Sequence, residues 1–472
     1  MIENSLKEFS NNLIFFICGK NQVNRGMLVK KHSEHFDHYG EFSFPLSIKS
    51  WHYYLSCDNG SIIGFDRGKT VLDFIGKVPN DLIKESSLWR LQILKVFAEN
   101  DRLYLFLDRS QSLRIALSEA LNNNSQLNLK MGKSTGRVLS DNNAEDDQSI
   151  TSLRRDYLLK SVDNLIPIVE DRISHNYTIV VSSRSAQYQN GQCLMLCGAV
   201  LNAKSGAKET KIKADDYIRL RQGEMTLIAQ HKYGVRVSSD ENWREFLSHL
   251  GEAAAAFELL QTKPSSAVKI NFECSSAGSS KGAAFVLYNC ARLETLIRSF
   301  NSKVNEGVYP SLPKFEDIDF SLLTHEEEWT LVFNYIMGFP LLLENCVTVS
   351  ESSAEFRPHL ICSFLCSMVR VFSQYYRKVR ILTEPRSHLL PVLYARVHML
   401  KILNDTLKTC LNILNIKKSA DFDGMAVLFV AEAEHGYAST LPVYEEARTG
   451  GRRPKTKKSQ GSRTTHNELE KN

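Results

Sequence analysis

Apolar positions recur every three to four residues through most of the C-terminal half of the chain. In "AAFVLYNCARLETLIRSF", residues 283–300, Val286, Cys290, Leu293, Ile297 and Phe300 fall in one narrow wedge at about 100° per residue. That spacing predicts an amphipathic helix with the wedge buried. The opposite face carries Tyr288, Arg292, Thr295 and Ser299, where a plainly solvated helix would carry Lys and Glu. An aromatic one turn from an arginine, with two hydroxyls below, suits a base and a phosphate. A second helix is predicted over "HLICSFLCSMVRVFSQYYRKVR", burying Ile361, Phe364, Leu365, Met368, Phe372, Tyr375 and Val379. A third, over "PVLYARVHMLKILNDTLKTCLNILNI", buries Leu393, Val397, Leu400, Leu407, Leu411 and Leu414, with Pro391 acceptable in a first turn. Long amphipathic helices in succession predict an all-α bundle from Ala283 to about Ile416.

Upstream the pattern changes. Residues 1–118 mix short β-like runs, Leu13–Cys18 and Leu103–Leu107, with helical pieces, and "RLYLFLDRSQSLRIALSEAL" reads as a strand feeding a helix. Residues 121–152 are rich in Asn, Ser and Asp and read as a flexible linker. A helix follows, then strands at "YTIVVSS" and "QCLMLCGAV", then the lysine-rich loop "NAKSGAKETKIK". Residues 214–262 are predicted helical, most clearly at "WREFLSHLGEAAAAFELL". The expected class is an α+β N-terminal part followed by an all-α helical bundle. Expected boundaries are an N-terminal domain over 1–120, the linker over 121–152, a middle region over 153–270, the bundle over 271–418 and a largely disordered basic tail over 419–472.

Composition narrows the class of protein. At 472 residues, with 43% hydrophobic and 24% charged residues, the chain is ordinary for a soluble globular protein. Its apolar runs are too short to span a bilayer, so no membrane partner is expected. Two asparagines precede "LIFFIC" and no small-residue cleavage site follows, so no signal peptide is expected. Ten cysteines lie scattered without a framework, which suits a reducing compartment and a cytoplasmic location. The net charge of +5 is misleading, because Arg448–Arg463 holds seven Lys and Arg and no acid. Without that segment the balance is slightly negative, and a polyanion site must be a local patch.

Such a patch exists. Between Phe356 and Arg386 lie six basic residues, Arg357, Arg370, Arg377, Lys378, Arg380 and Arg386, against one acid, Glu384. Local positive charge concentrates a negative partner, and aromatic neighbours add stacking surface. Arg370, Gln374 and Arg377 fall opposite the helix stripe, with Tyr376 at its edge as the better stacking candidate. The bland alternative is a solvated arginine face over a core Tyr375. His32, His35 and His38 in "HSEHFDH" have helical spacing, but no Cys or carboxylate cluster completes a metal set, so no metal is expected. Cys193/Cys197 and Cys362/Cys366 read as packing residues. The lysines of 202–213 could touch phosphate or be an ordinary surface loop. There is no GxxxxGK[ST] loop, no GxGxxG after a strand, no GxSxG elbow and no HExxH, and no cofactor is expected.

The C-terminal motifs resemble the DALR-type anticodon-binding domain of class I arginyl-tRNA synthetases. "AAFVLYNCARLETLI" is similar to that domain's opening helix, with Phe285, Tyr288, Ala291 and Arg292 at the pattern positions. "THEEEWTLVFNYIMGFPLLLENC" resembles its acidic helix and Phe-Pro turn. "RPHLICSFLCSMVRVFSQYYRKVRIL" resembles its Pro-His helix and Phe-Asn-x-Phe-Tyr block, with Ser373 in place of Asn, and "ARVHMLKILNDTLKTCLNILNI" resembles its closing helix. The tetrapeptide Asp-Ala-Leu-Arg is itself absent. "NAKSGAKETKIKADDYIRLR" and "AAAAFELLQTKP" resemble the loop and helix after the signature Lys-Met-Ser-Lys-Ser, itself degraded. Residues 1–120 are faintly similar to the synthetase N-terminal tRNA-binding domain, and the middle region to a remnant of the catalytic part. His-x-Gly-His, which supports adenylate formation in these enzymes, does not occur. Without it the bond-forming step loses its electrostatic support. The pattern resembles a non-catalytic branch of DALR-domain proteins. That resemblance implies an accessory protein that binds arginine tRNAs for a methyltransferase making 3-methylcytidine in the anticodon loop, with S-adenosylmethionine belonging to the partner. The implied tRNA-binding residues are Tyr288, Arg292, Thr295, Arg370, Gln374, Tyr376, Arg377, Arg380 and Arg386. The alternative is an ATP-dependent arginine–tRNA ligase with a drifted active site.

Overall fold

The structure, a computed structural model, describes residues 2–19, 28–55, 69–130, 136–140, 148–169, 178–183, 192–233, 241–272, 278–349 and 354–416. The expected basic tail over 419–472 lies outside these residues.

The chain opens with helix α1 (Ser5–Cys18), although Leu13–Cys18 reads as a β-like run. Asn4 caps its N-terminus by accepting the Lys7 N–H, and Leu6, Phe9, Leu13, Phe16 and Ile17 are buried at helical spacing. A six-residue apolar run has no period of its own, and the residues before it decide. Four strands follow as an antiparallel sheet: β1 (Lys30–Lys31), β2 (Phe42–Pro45), β3 (Ile93–Glu99) and β4 (Arg102–Leu107), in the order β1-β2-β4-β3. Asn100 (φ 49°) and Asp101 (φ 59°) make the two-residue turn between β3 and β4, which suits a type I′ hairpin. Gly40 (φ 58°) enters β2 so close to β4 that a Cβ would sit 2.2 Å from the Leu105 carbonyl oxygen. Phe42, Phe44, Leu103, Leu105 and Leu107 are buried, and Phe9 of α1 lies 4.5 Å from the Phe42 ring centroid.

The strand does feed a helix, α2 (Arg109–Lys130), and this helix corrects the expected linker. Residues 121–130 are helical, with Asn123, Asn124 and Leu127 buried. Asn123 takes up both main-chain groups of Glu3, accepting its N–H and donating to its carbonyl at 2.9 Å each. Asn123, which reads as loop composition, is an interior hydrogen-bonding group. Val138–Ser140 is also ordered, as strand β5.

The middle region holds α3 (Ile150–Val169), β6 (Thr178–Ser182), β7 (Gln192–Leu196), β8 (Val200–Asn202), α4 (Ala214–Tyr233), α5 (Glu241–Leu260) and β9 (Val268–Ile270). Strands β5, β6 and β7 form a parallel sheet, and β8 pairs with β9, also in parallel. Arg154 of α3, fully buried, ties this region together by donating to the carbonyls of Gly198, Leu259, Thr262, Lys263 and Ser266 at 2.6–3.2 Å. Burial lowers its pKa. One five-donor guanidinium thus serves five main-chain carbonyls at a buried junction.

The C-terminal part is helical as expected: α6 (Gly278–Asn305), α7 (Glu326–Thr330), a π-helical turn (Leu331–Ile336), α8 (Phe339–Cys346), α9 (His359–Lys378) and α10 (Leu390–Ile413). A short antiparallel pair, β10 (Val347–Val349) with β11 (Ala354–Phe356), interrupts the expected all-α pattern between α8 and α9. The main core is continuous from α1 and the N-terminal sheet into the bundle. At the junction Glu41, 1% exposed, accepts the Leu107 N–H at 2.8 Å and the Trp329 indole N–H at 2.9 Å, beside Arg109 at 3.2 Å. Burial raises its pKa, against the pull of those partners. Lys31 donates to the Asn334 side chain at 2.8 Å and lies 4.2 Å over the Phe333 ring, and burial lowers its pKa to about 7.

Candidate nucleic-acid interface

Helices α6 and α9 pack against one another, and α6 also packs on α5 and α10. The azimuth of α9 is fixed from behind. Tyr375, fully buried, donates its hydroxyl to Glu328 of α7 at 2.9 Å. The same Glu328 oxygen accepts from Arg396 of α10 at 2.8 Å, and the other takes the His325 N–H at 3.0 Å. Desolvation, with the Glu328 charge beside it, pushes the Tyr375 phenol well above its ordinary range. With Ile361, Leu365, Met368, Phe372 and Tyr375 turned inward, Arg370, Gln374 and Arg377 are exposed on the outside.

Three of the residues expected at the site meet across the two helices. The guanidinium carbon of Arg292 lies 4.5 Å from the Tyr288 ring centroid and 4.6 Å from that of Tyr376. Arg292 also donates to the Tyr288 hydroxyl, one helical turn away. All three side chains are half-buried. A guanidinium held between two π-faces keeps its charge and loses rotamer freedom, each contact being worth about 0.5–2 kcal/mol. The Tyr376 ring is braced in turn by Phe372, 6.1 Å away between centroids.

The basic residues fall into two groups. Arg357 pairs with Glu355 at 2.5 Å, Lys378 with Glu327, and Arg386 with Glu384 at 2.6 Å. Arg357 and Lys263, the latter 2.9 Å away, hold the Glu355 carboxyl down to about 2, and Lys378 lowers that of Glu327. Among the described residues no carboxylate pairs with Arg370, Arg377 or Arg380, all exposed. The Arg377 Nε donates only to the Ser373 carbonyl of its own helix, at 3.2 Å. The free charge is therefore concentrated on Arg370, Arg377 and Arg380, and Arg386 is partly neutralised.

Thr295 does not belong to the surface. It is 8% exposed and its hydroxyl donates to the Ala291 carbonyl at 2.9 Å. Because α6 packs against α4, α5, α9 and α10, its buried sector is wider than the apolar stripe. Glu328 and Arg396 escaped the sequence reading. Their only signals are an acidic helix start and a lone arginine in "YARVHML", 68 positions apart. The three histidine rings lie around Tyr39, 5.7–6.4 Å between centroids, with His32 buried against Ser43 (2.9 Å) and His38 beside Asp37. In the lysine-rich loop, Lys204, Lys208, Lys211 and Lys213 are exposed on a turn organised by Asn202 and Glu209. Among the described residues no group of three or more His, Cys, Asp or Glu side chains could hold a metal ion, and no helix is long and apolar enough to cross a membrane.

The C-terminal part is mostly helical, and its residues 286–420 match the family model described as the DALR anticodon binding domain. The curated protein of Rattus norvegicus named DALR anticodon-binding domain-containing protein 3 is similar, at 34% identity over 233 residues, 49% of this chain and 43% of that one. Its namesake in Danio rerio is 34% identical over 48% of this chain and 41% of its own length. The arginine–tRNA ligase of Borrelia garinii subsp. bavariensis is 23% identical over 54% of this chain and 41% of the ligase. The match thus spans about two-fifths of the length of these relatives. Among solved structures, Thermus thermophilus arginyl-tRNA synthetase aligns with a TM-score of 0.49 and 9% identity, over 87% of this chain and 99% of that one.

Proposed function

We propose that this chain is a non-catalytic, cytoplasmic tRNA-binding accessory protein. It holds arginine tRNAs through the α6–α9 flank and presents the anticodon loop to a partner methyltransferase that forms 3-methylcytidine, the partner binding S-adenosylmethionine. In the same reading residues 1–120 and 153–270 are remnants of a synthetase body that support the domain. The observation that carries the proposal is the Arg292 guanidinium of α6 clamped by Tyr288 and by Tyr376 of α9, whose outer face bears Arg370 and Arg377 without carboxylate partners among the described residues. A clamped cation suits a phosphate at a fixed place. The exposed arginines beside it add charge along the backbone of a folded RNA. The names of the similar proteins, an anticodon-binding-domain protein and an arginine–tRNA ligase, favour tRNA over other polyanions.

Binding of arginine tRNA across a salt series tests this. Arg370→Ala and Arg377→Ala should each reduce the salt slope by about one, and Tyr376→Ala should cost about 1–3 kcal/mol. Parent-like binding by both arginine variants would refute the site. The ligase alternative rests on the likeness to the Borrelia enzyme and requires ATP–pyrophosphate exchange with arginine and tRNA. Turnover above background would establish it in place of the accessory role. Recovery of the protein from cells with its bound RNA, followed by sequencing, should return arginine tRNAs. A 3-methylcytidine methyltransferase should come with them.

A further inference from the structure

The free edge of the N-terminal sheet has the pattern of a surface that pairs with itself. Strand β3 is terminal in the order β1-β2-β4-β3, and among the described residues no strand lies on its other side. The pairing of β4 shows which groups of β3 are spare. The Leu105 carbonyl accepts the Glu41 N–H on the β2 side. Tyr104 and Phe106 therefore turn their main-chain groups to β3, where their register partners are Phe97 and Lys95. The N–H and C=O groups of Val96 and Ala98 are left facing the open edge. Around them the side chains are unusually apolar for an edge: Leu94, at the irregularity in the ladder, is 69% exposed and Phe97 45%. Isolated edges are normally blunted by charge. Here the two charged side chains, Lys95 and Glu99, have opposite sign and stand two residues either side of Phe97.

From this symmetry we infer that β3 pairs antiparallel with β3 of a second copy of the chain, about a twofold axis through Phe97. In that register Val96 of each copy faces Ala98 of the other, and these are the residues with spare main-chain groups. Phe97 meets Phe97 at the close, non-hydrogen-bonded position. Lys95 lies opposite Glu99 twice, once on each side of the axis. A shift by one residue would set spare groups against occupied ones. A shift by two would place Lys95 or Glu99 opposite Phe97, according to its direction, and lose both Lys95–Glu99 pairs. The contact is short, so the dimer is a reversible one, below the size of permanent interfaces. The inference is independent of RNA binding.

Sedimentation velocity of the full chain over a concentration series, without RNA, tests it. The parent should show a monomer–dimer equilibrium. Lys95→Glu, which sets like charges opposite one another twice, should weaken dimerisation about tenfold or more. The charge-swapped variant Lys95→Glu/Glu99→Lys should restore it. Ala98→Pro removes an edge-facing N–H that the β3–β4 hairpin does not use, and it should abolish the dimer while the circular dichroism spectrum is retained. A parent that stays monomeric throughout overturns the inference. So does a dimer indifferent to Lys95→Glu, or one the swap fails to restore, and these two outcomes stand even if Ala98→Pro does not fold.

Discussion

Removing the carboxylate of Glu328 is the sharpest test of how this fold aims its surface. Glu328 is 0% exposed and serves three donors: the Tyr375 hydroxyl at 2.9 Å, the Arg396 Nε at 2.8 Å and the His325 N–H at 3.0 Å. Glu328→Ala strands a buried phenol and a guanidinium that is only 11% exposed. Breaking a buried pair from one side costs about 3–5 kcal/mol, against a typical total stability of about 5–15 kcal/mol. Glu328→Gln keeps the shape and one acceptor oxygen, so about 1–3 kcal/mol is expected. Arg396→Met combined with Glu328→Leu removes the whole charge pair, and a hydrophobic replacement of that kind is often neutral. The double variant should therefore be more stable than the sum of the singles predicts, by roughly 1–3 kcal/mol. Urea denaturation followed by far-ultraviolet circular dichroism measures the parent, Glu328→Ala, Glu328→Gln, the singles Glu328→Leu and Arg396→Met, and the double variant. A loss below about 1 kcal/mol for Glu328→Ala, or additivity in the cycle, would refute the view that this carboxylate sets the rotation of α9.

Thr295→Val should leave both RNA affinity and the salt slope unchanged, because the hydroxyl is spent on the Ala291 carbonyl; a loss of affinity in the same binding assay would return Thr295 to the surface. Gly40→Ala should destabilise by about 2–4 kcal/mol, since it adds left-handed strain to a contact of 2.2 Å with the strand backbone; denaturant midpoints report it. His32 has its pKa lowered to about 4 by burial and by the neighbouring Lys30, Arg102 and Lys31. A depressed histidine pKa favours folding above the unfolded value near 6.5, and that contribution is lost as pH falls toward 4. His32→Gln, which cannot protonate, should therefore show a shallower decline of stability than the parent between pH 6.5 and 4, and parallel curves would count against burial of the ring.

How legible the fold was depended on length and period. Helix α9 carries five buried apolar positions at unbroken 3.6 spacing, so its inward face, its outward arginines and the core role of Tyr375 follow from the sequence pattern. The run Leu13–Cys18 is too short for any period to show, and its helical state depends on a cap at Asn4 nine residues earlier. Asn123 looks like loop composition because its partner is the backbone of Glu3, which no local pattern registers. At the candidate site, Tyr288 and Arg292 are visible as one turn of a helix. Their meeting with Tyr376 is a tertiary fact, since nothing in either helix says which flank of α6 lies beside α9. Thr295 fails for the same reason: an angular plot of one helix does not count its neighbours.

The Glu41 carboxylate, which draws one hydrogen bond from a strand and another from the Trp329 indole far along the chain, has a consequence for dissection of the protein. A fragment beginning near residue 278 would keep every expected RNA-contacting side chain but bare the faces of Trp329 and Phe333. It would also leave the indole without its acceptor. Conversely, RNA captured at α9 should slow amide exchange in β2 and β4, because strands and bundle share one hydrophobic core.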